Sequence, residues 1–247
     1  MAWALDLDGV VWLGTDSIPG VAEAVARLQD AGETVLFVTN NSGRRVVDVE
    51  AKLAHHGIDA CGGVVTSGMA AASLVQPGEV VLGMCGPGLV EELEAVGATV
   101  VREGPADTVA VGFHEDFDYW RLTAGLQAIL GGARLLASNE DVTYPAHDGI
   151  RPGAGSIVAA LVVATGVEPV VAGKPHEPIC DVVRERAGGH GIVVGDRPDT
   201  DGLLARNLGW DFGLVLSGVT AEGDLPTDPA PDEVAADLPA LVDRLLG

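Results

Sequence analysis

Two aspartates spaced i and i+2, Asp6 and Asp8, follow the apolar run Trp3-Ala4-Leu5 and precede Gly9. Side chains of a strand alternate faces, so both carboxylates are expected on the same side. Gly9 then permits a sharp turn away from the strand. Like charges this close are unfavourable unless a cation lies between them or one of them takes a proton. The pair points to a hard cation such as Mg²⁺, with one acid free to act as nucleophile or acid/base. A solvated acidic turn is the plain alternative in a chain with 36 acidic residues. A Ca²⁺ loop does not fit, because it needs Gly at its sixth position and Glu at its twelfth. Counted from Asp6, those positions are Val11 and Ser17.

Three more stretches carry chemistry-bearing residues. The apolar run 191–195 ends in Asp196, and Asp201 follows five residues on, where it could also serve as a helix N-cap. The run 34–38 leads into Thr39-Asn40-Asn41-Ser42-Gly43. Ser42 is expected to cap the next helix, giving a turn whose N–H groups and helix dipole favour phosphate. Lysine is nearly absent from the chain, yet one of the two, Lys174, stands in Ala172-Gly173-Lys174-Pro175. The other, Lys52, is expected on a solvated helix face. Asp6, Asp8 and Asp196 thus offer hard oxygens, Thr39 and the N–H groups after it offer phosphate contacts, and Lys174 offers charge. A carboxylate nucleophile that forms an aspartyl-phosphate needs this equipment. Hydrolysis by a metal-bound water would call for a second metal or a histidine cluster, and neither is visible.

The elements that must position these residues alternate strand and helix. Helices are expected at 19–31, from Val21, Val25 and Leu28, and after Ser42, from Val46, Val49 and Leu53. A strand at 64–66 and a helix at 69–75 come next. Residues 80–137 repeat the alternation, with strands near 80–83, 98–101, 108–112 and 134–137 and helices near 88–96 and 118–130. This middle block reads as a second α/β unit. The polar stretch 138–149 is long for a plain connection, which suggests a binding loop. A helix at 152–165, a strand at 170–172, a helix at 178–187, strands at 191–195 and 212–216 and a helix through Leu238, Leu241 and Leu245 complete the chain.

Composition narrows the function classes. Hydrophobic residues make up 47% of the 247, enough for a real core. A net charge of −22 argues against nucleic acid or an anionic membrane as partner. The start meets acid at once and has no basic segment, so no signal peptide is expected. Three cysteines, Cys61, Cys85 and Cys180, lack metal-ligand spacing, and a reduced cytoplasmic setting is expected.

Four motifs in order resemble the haloacid dehalogenase superfamily of phosphatases, in its NagD-like and p-nitrophenylphosphatase-like branch. DxDGV matches Asp6-Leu7-Asp8-Gly9-Val10. The T/S-N-N-S strand end matches Thr39-Asn40-Asn41-Ser42. GKP matches Gly173-Lys174-Pro175, and GDRxDTD matches Gly195 to Asp201. The resemblance implies an α/β fold, with a Rossmann-like core of central parallel sheet and flanking helices at 1–77 and 169–247. An α/β cap domain would be inserted at 78–168. It implies a Mg²⁺-dependent phosphatase acting on a small phosphorylated metabolite through an aspartyl-phosphate, as a monomer or homodimer.

By the same resemblance, Asp6 is the nucleophile and Asp8 the acid/base, with Gly9 in support. Thr39, Asn40, Asn41 and Lys174 hold the phosphoryl group. Asp6, the Asp8 carbonyl and Asp196 hold Mg²⁺, supported by Asp201. Cap residues Asn139, Asp141, Tyr144 and His147 would set the substrate, whether sugar phosphate, glycerol phosphate, nucleoside 5′-monophosphate or pyridoxal phosphate. A mutase of the same superfamily and a non-catalytic binding module stay open. The former would want a small helical cap after the first motif, and the latter would be expected to lack Asp6.

Overall fold

In the computed structural model, which describes residues 1–146 and 149–247, the chain forms two compact units. The first comprises Met1–Thr39, Val47–Val65 and Lys174–Gly247, and the second Asn40–Val46 and Thr66–Gly173. The strands are β1 (Ala2–Leu5), β2 (Trp12–Leu13), β3 (Asp16–Ser17), β4 (Thr34–Thr39), β5 (Val64–Thr66), β6 (Val80–Met84), β7 (Thr99–Val101), β8 (Thr108–Val111), β9 (Arg134–Ala137), β10 (Thr143–Ala146), β11 (Gly149–Pro152), β12 (Val170–Val171), β13 (Gly191–Gly195), β14 (Asp211–Val215) and β15 (Glu233–Ala235). The helices are α1 (Val21–Asp30), α2 (Val46–His55), α3 (Ser67–Ala72), α4 (Pro87–Ala95), α5 (Tyr119–Leu130), α6 (Ala154–Thr165), α7 (Glu177–Ala187), α8 (Leu203–Leu208) and α9 (Leu238–Leu246).

The first unit is built on a sheet of order β15-β14-β13-β1-β4-β5. β1 pairs in parallel with both β13 and β4, and β13–β14 and β14–β15 are parallel as well. Every residue of β1 and β13 is buried, which explains why both read as unbroken apolar runs. Numbered along this sheet alone, the order is 3-2-1-4-5-6, the Rossmann arrangement, and the reversal falls between β1 and β13. α1 buries Val21, Ala24, Val25 and Leu28, and α9 buries Leu238, Leu241 and Val242. With Trp3, Leu5, Phe37 and Phe212 they form a core in which each large side chain contributes roughly 1.5–3 kcal/mol. β15 and the small β2–β3 hairpin escape the sequence reading because two- and three-residue strands leave no apolar run.

The second unit has a parallel five-stranded sheet of order β12-β9-β8-β6-β7. Counted along its own strands this is 2-1-3-4-5 from the far edge, a second doubly wound arrangement. Leu82, Met84, Val109, Val111 and Leu135 from the sheet meet Ile157 and Leu161 of α6 in its core. α3 starts at Ser67, earlier than expected, because Thr66 Oγ1 accepts from Met69 N at 3.2 Å and caps it.

Two expectations are corrected here. The stretch 138–149 is not one long loop, since β10 and β11 form an antiparallel hairpin with Thr143 opposite Pro152. Pro145 and Gly149 hid the strand pattern, both being poor strand residues. Ser42 does not cap α2, which begins only at Val46. Its backbone carbonyl accepts from Leu89 N at 2.9 Å, and that of Gly43 from Gly88 N at 3.3 Å. The segment after Thr39 therefore satisfies orphan N–H groups at the start of α4, a helix distant in sequence.

Candidate active site

β1 and β13 are neighbours, and their carboxyl ends carry Asp6 and Asp196. Asp6 N donates to Val194 O at 2.9 Å, so the ladder fixes the backbone one residue past β1. This is the switch point of the first sheet, where ligands of such folds gather. Lys174 Nζ donates to Asp6 Oδ1 and to Asp201 Oδ1, each at 2.7 Å. Lys174 is 5% exposed and Asp201 fully buried. Asp201 is not a helix cap. It sits in a turn of π-helix, Pro198–Gly202, while α8 starts at Leu203 with Gly202 at its cap. Its carboxylate takes the Lys174 ammonium and Arg197 N at 3.2 Å, and a buried charge gains more from these than from a helix start.

Asp6, Asp196 and Asp201 each bring one carboxylate oxygen within 4.8 Å of the others. Burial raises the pKa of all three. For Asp196, burial, then the charges of Asp6 and Asp201, push it up to about 7. Burial pushes Asp201 up to about 6, with Lys174 pulling the other way. Asp6 is likewise raised by burial against the pull of Lys174. Burial works against the Lys174 charge, but Asp201 and Asp6 outweigh it and keep the ammonium protonated.

Asp196 is held in a tight slot. A Cβ at Gly9 or at Gly218 would run into its carboxylate, and one at Gly195 would run into that of Asp201. Val219 N donates to Asp196 Oδ2 at 2.6 Å, and Thr220 Oγ1 to its backbone carbonyl at 2.6 Å. Ser217 Oγ donates to Gly9 O at 2.6 Å. The loop 216–220 was missed from the sequence. Its signal was the one used elsewhere, an apolar strand running into small polar residues, here Ser217-Gly218. Asp196 Oδ1 is buried and has no hydrogen-bond partner. A buried carboxylate oxygen left over, beside two further carboxylates, is a hard donor set that fits Mg²⁺. Of the residues expected at the metal, Asp6 and Asp196 come together, joined by the carboxylate of Asp201. The Asp8 side chain is exposed and accepts from Trp12 Nε1 at 2.9 Å. Thr39 is buried at the end of β4, beside β1.

Within the second unit, Asn40 Nδ2 donates to Asp141 Oδ1 at 3.2 Å. Asn40 O accepts from Asn139 Nδ2 at 2.7 Å and from Ser67 Oγ at 2.6 Å. Asn139 Oδ1 accepts from Asp141 N at 3.1 Å, so this buried amide is spent on backbone at both ends. Ser42 and Ser138 hydroxyls meet at 2.8 Å, and Asn41 Oδ1 accepts from Gly43 N at 3.0 Å. Tyr144 lies edge-on to Phe113, ring centroids 4.9 Å apart. His147 lies outside the described residues. Asn40, expected from sequence at the phosphoryl group, and Asn139 and Asp141, expected to set the substrate, are thus one hydrogen-bonded group.

Comparison with known proteins identifies the family. Residues 3–99 match the haloacid dehalogenase-like hydrolase family and residues 171–241 the related HAD-hydrolase-like family. The acid sugar phosphatase of Staphylococcus saprophyticus is 33% identical over 237 residues, covering 93% of this chain and 92% of its own. The 5′-nucleotidase YutF of Bacillus subtilis is 36% identical over 233 residues, covering 92% and 91%. The p-nitrophenyl phosphatase of Archaeoglobus fulgidus superposes with a TM-score of 0.91 at 32% identity, covering 99% and 98%. The glycerol phosphate phosphatase of Mycobacterium tuberculosis, solved with magnesium, gives 0.90 at 35%, covering 97% of this chain and 75% of its own. The chain belongs to the haloacid dehalogenase-like hydrolases, in their NagD-like, p-nitrophenylphosphatase-like branch.

Proposed function

We propose that Asp6 is the nucleophile of a Mg²⁺-dependent phosphatase of small phosphate monoesters. One observation carries the reading: Lys174 sits 2.7 Å from Asp6 within a cluster of three carboxylates at the sheet's switch point. Asp6 attacks phosphorus and forms a P–O bond, while the bond to the leaving oxygen breaks and its electron pair stays on that oxygen. Asp8 in its acid form gives that oxygen a proton. It then takes a proton from the water that attacks the aspartyl-phosphate, which releases inorganic phosphate and restores Asp6. Lys174 and Thr39 hold the phosphoryl oxygens. Lys174 also offsets repulsion between Asp6 and the dianionic substrate. Asp6, the Asp8 carbonyl and Asp196 would hold Mg²⁺, with Asp201 in support. When bound, the ion would supply positive charge that offsets the charge of the phosphoryl group.

Substrate choice belongs to the cap, residues 78–168, through Asp141, Tyr144 and His147, with Asn139 positioning its neighbours. Sugar phosphates and glycerol phosphate are the favoured class, following the acid sugar phosphatase and glycerol phosphate phosphatase relatives. A nucleoside 5′-monophosphate is the second reading, which the YutF relative favours. A panel of phosphorylated metabolites and p-nitrophenyl phosphate, assayed with the purified protein with and without Mg²⁺, tests this. Turnover that ignores Mg²⁺, or none on any monoester, would sink it.

A further inference from the structure

The turn after β1 closes on itself through backbone bonds: Gly9 N donates to Trp12 O at 2.8 Å and Trp12 N to Leu7 O at 3.1 Å. This brings the Trp12 indole back over Asp8, and Nε1 donates to Asp8 Oδ1 at 2.9 Å. Trp12 is 3% exposed, whereas Asp8 is exposed. An exposed aspartate normally samples several rotamers. Here one of its oxygens is tied to a rigid, buried ring.

That ring is itself held from another element. Lys52 Nζ of α2 lies 3.6 Å from the Trp12 ring centroid and donates to Gly14 O at 2.9 Å. The His56 ring, just past the end of α2, lies 5.7 Å from Trp12. A cation on an indole face is attracted by the ring quadrupole. Lys52 is therefore not the idle surface lysine expected from sequence. It clamps the ring and the following loop together.

We propose that Trp12 is a positioning residue for Asp8, with Lys52 as its clamp. The proposal rests on the reading of Asp8 as the acid/base. An indole N–H only donates, so the oxygen it bonds can accept but cannot pass a proton along that bond. Oδ1 is thereby committed to Trp12, and Oδ2 is left to exchange the proton with the leaving group and then with water. The orienting partner does for Asp8 what a third group does for the base of a catalytic triad.

The test is Trp12→Phe, which keeps a ring under Lys52 and removes only the N–H donor. General acid–base catalysis is worth about 10²–10⁴-fold, so loosening the acid should lower kcat on glycerol phosphate by about tenfold or more, with KM little changed. p-Nitrophenolate leaves without needing a proton. Its pre-steady-state burst should survive in the variant while steady turnover falls, because the later water step still needs Asp8. A kcat at the wild-type value on both substrates, or a burst slowed as much as turnover, overturns the proposal.

A second readout needs neither turnover nor a Trp12 variant. In metal-free protein, the Trp12 indole N–H resonance should move upfield in Asp8→Asn, because the charged acceptor is lost. An unmoved resonance rules out the bond. The two layers separate cleanly. An Asp8→Asn enzyme with full turnover fails the acid/base reading itself. An inactive Asp8→Asn beside a fully active Trp12→Phe fails only the positioning role.

Discussion

Lys174 Nζ stands 2.7 Å from Asp6 Oδ1, and neither partner has much water around it: their side chains are 4% and 13% exposed. Asp201, on the other side of the ammonium, is fully buried. One cation thus offsets two carboxylates, with a third, Asp196, close by.

Removing that cation should be costly twice over. Breaking a buried ion pair from one side typically costs 3–5 kcal/mol, because the stranded charge remains. Lys174→Met should lower the melting temperature, and at temperatures where it stays folded should reduce kcat by about 100-fold or more. A variant with wild-type stability and rate would show that the three carboxylates are not charged together.

Asp6→Asn preserves shape and removes the oxygen proposed to attack phosphorus. Turnover should fall by at least about 10³-fold, with the circular dichroism spectrum unchanged. Mass spectrometry of acid-quenched wild-type protein during turnover should show a phosphoryl adduct on the peptide containing Asp6, and Asp6→Asn should show none. An adduct on another residue would move the nucleophile elsewhere.

The strands and the candidate residues at their ends were legible because buried parallel strands are unbroken apolar runs, and each candidate follows one: Asp6 after β1, Thr39 ending β4 and Asp196 after β13. What stayed hidden depends on chain segments far apart. Ser42 looked like a local cap, but its carbonyl serves Leu89 in α4. Asp201 looked like a cap too, but Lys174, 27 residues away, claims it. Lys52 looked idle because nothing in its own helix shows that Trp12 lies beneath it. The Asp196 slot needs Gly218, whose close approach to a carboxylate 22 positions earlier leaves no local pattern.

The raised carboxylates set a direction for stability against pH. An acid whose folded pKa exceeds its unfolded value near 3.8 contributes stability below that value, and the contribution is lost as pH rises through the folded pKa. For Asp201 and Asp196 those values are about 6 and about 7. Metal-free protein should lose stability between pH 4 and pH 8, and Asp196→Asn should lose less over that range. Mg²⁺ added at pH 8 should raise the wild-type melting temperature by mass action, and that of Asp196→Asn far less. Parallel pH curves for the two proteins would dismiss the Asp196 contribution.

Specificity should move with the hairpin β10–β11 and not with the strand ends. Exchange of residues 142–152 for those of a relative with another substrate should reorder kcat/KM across the metabolite panel and leave the Mg²⁺ requirement alone. The exchange stops short of Asn139 and Asp141, which hold Asn40 within the second unit. An unchanged ranking would assign specificity to another part of the cap.

The crowding of Asp196 by Gly9 and Gly218 has a consequence for how the protein must be handled. A carboxylate that cannot swing aside loses its freedom when the chain folds, not when the ion arrives. If Asp196 holds Mg²⁺ as proposed, the ion would meet a ready receptor, and close carboxylates without it would be an electrostatic burden on the fold. Lysis and purification in chelator should lower the recovered yield, and millimolar Mg²⁺ throughout should restore it.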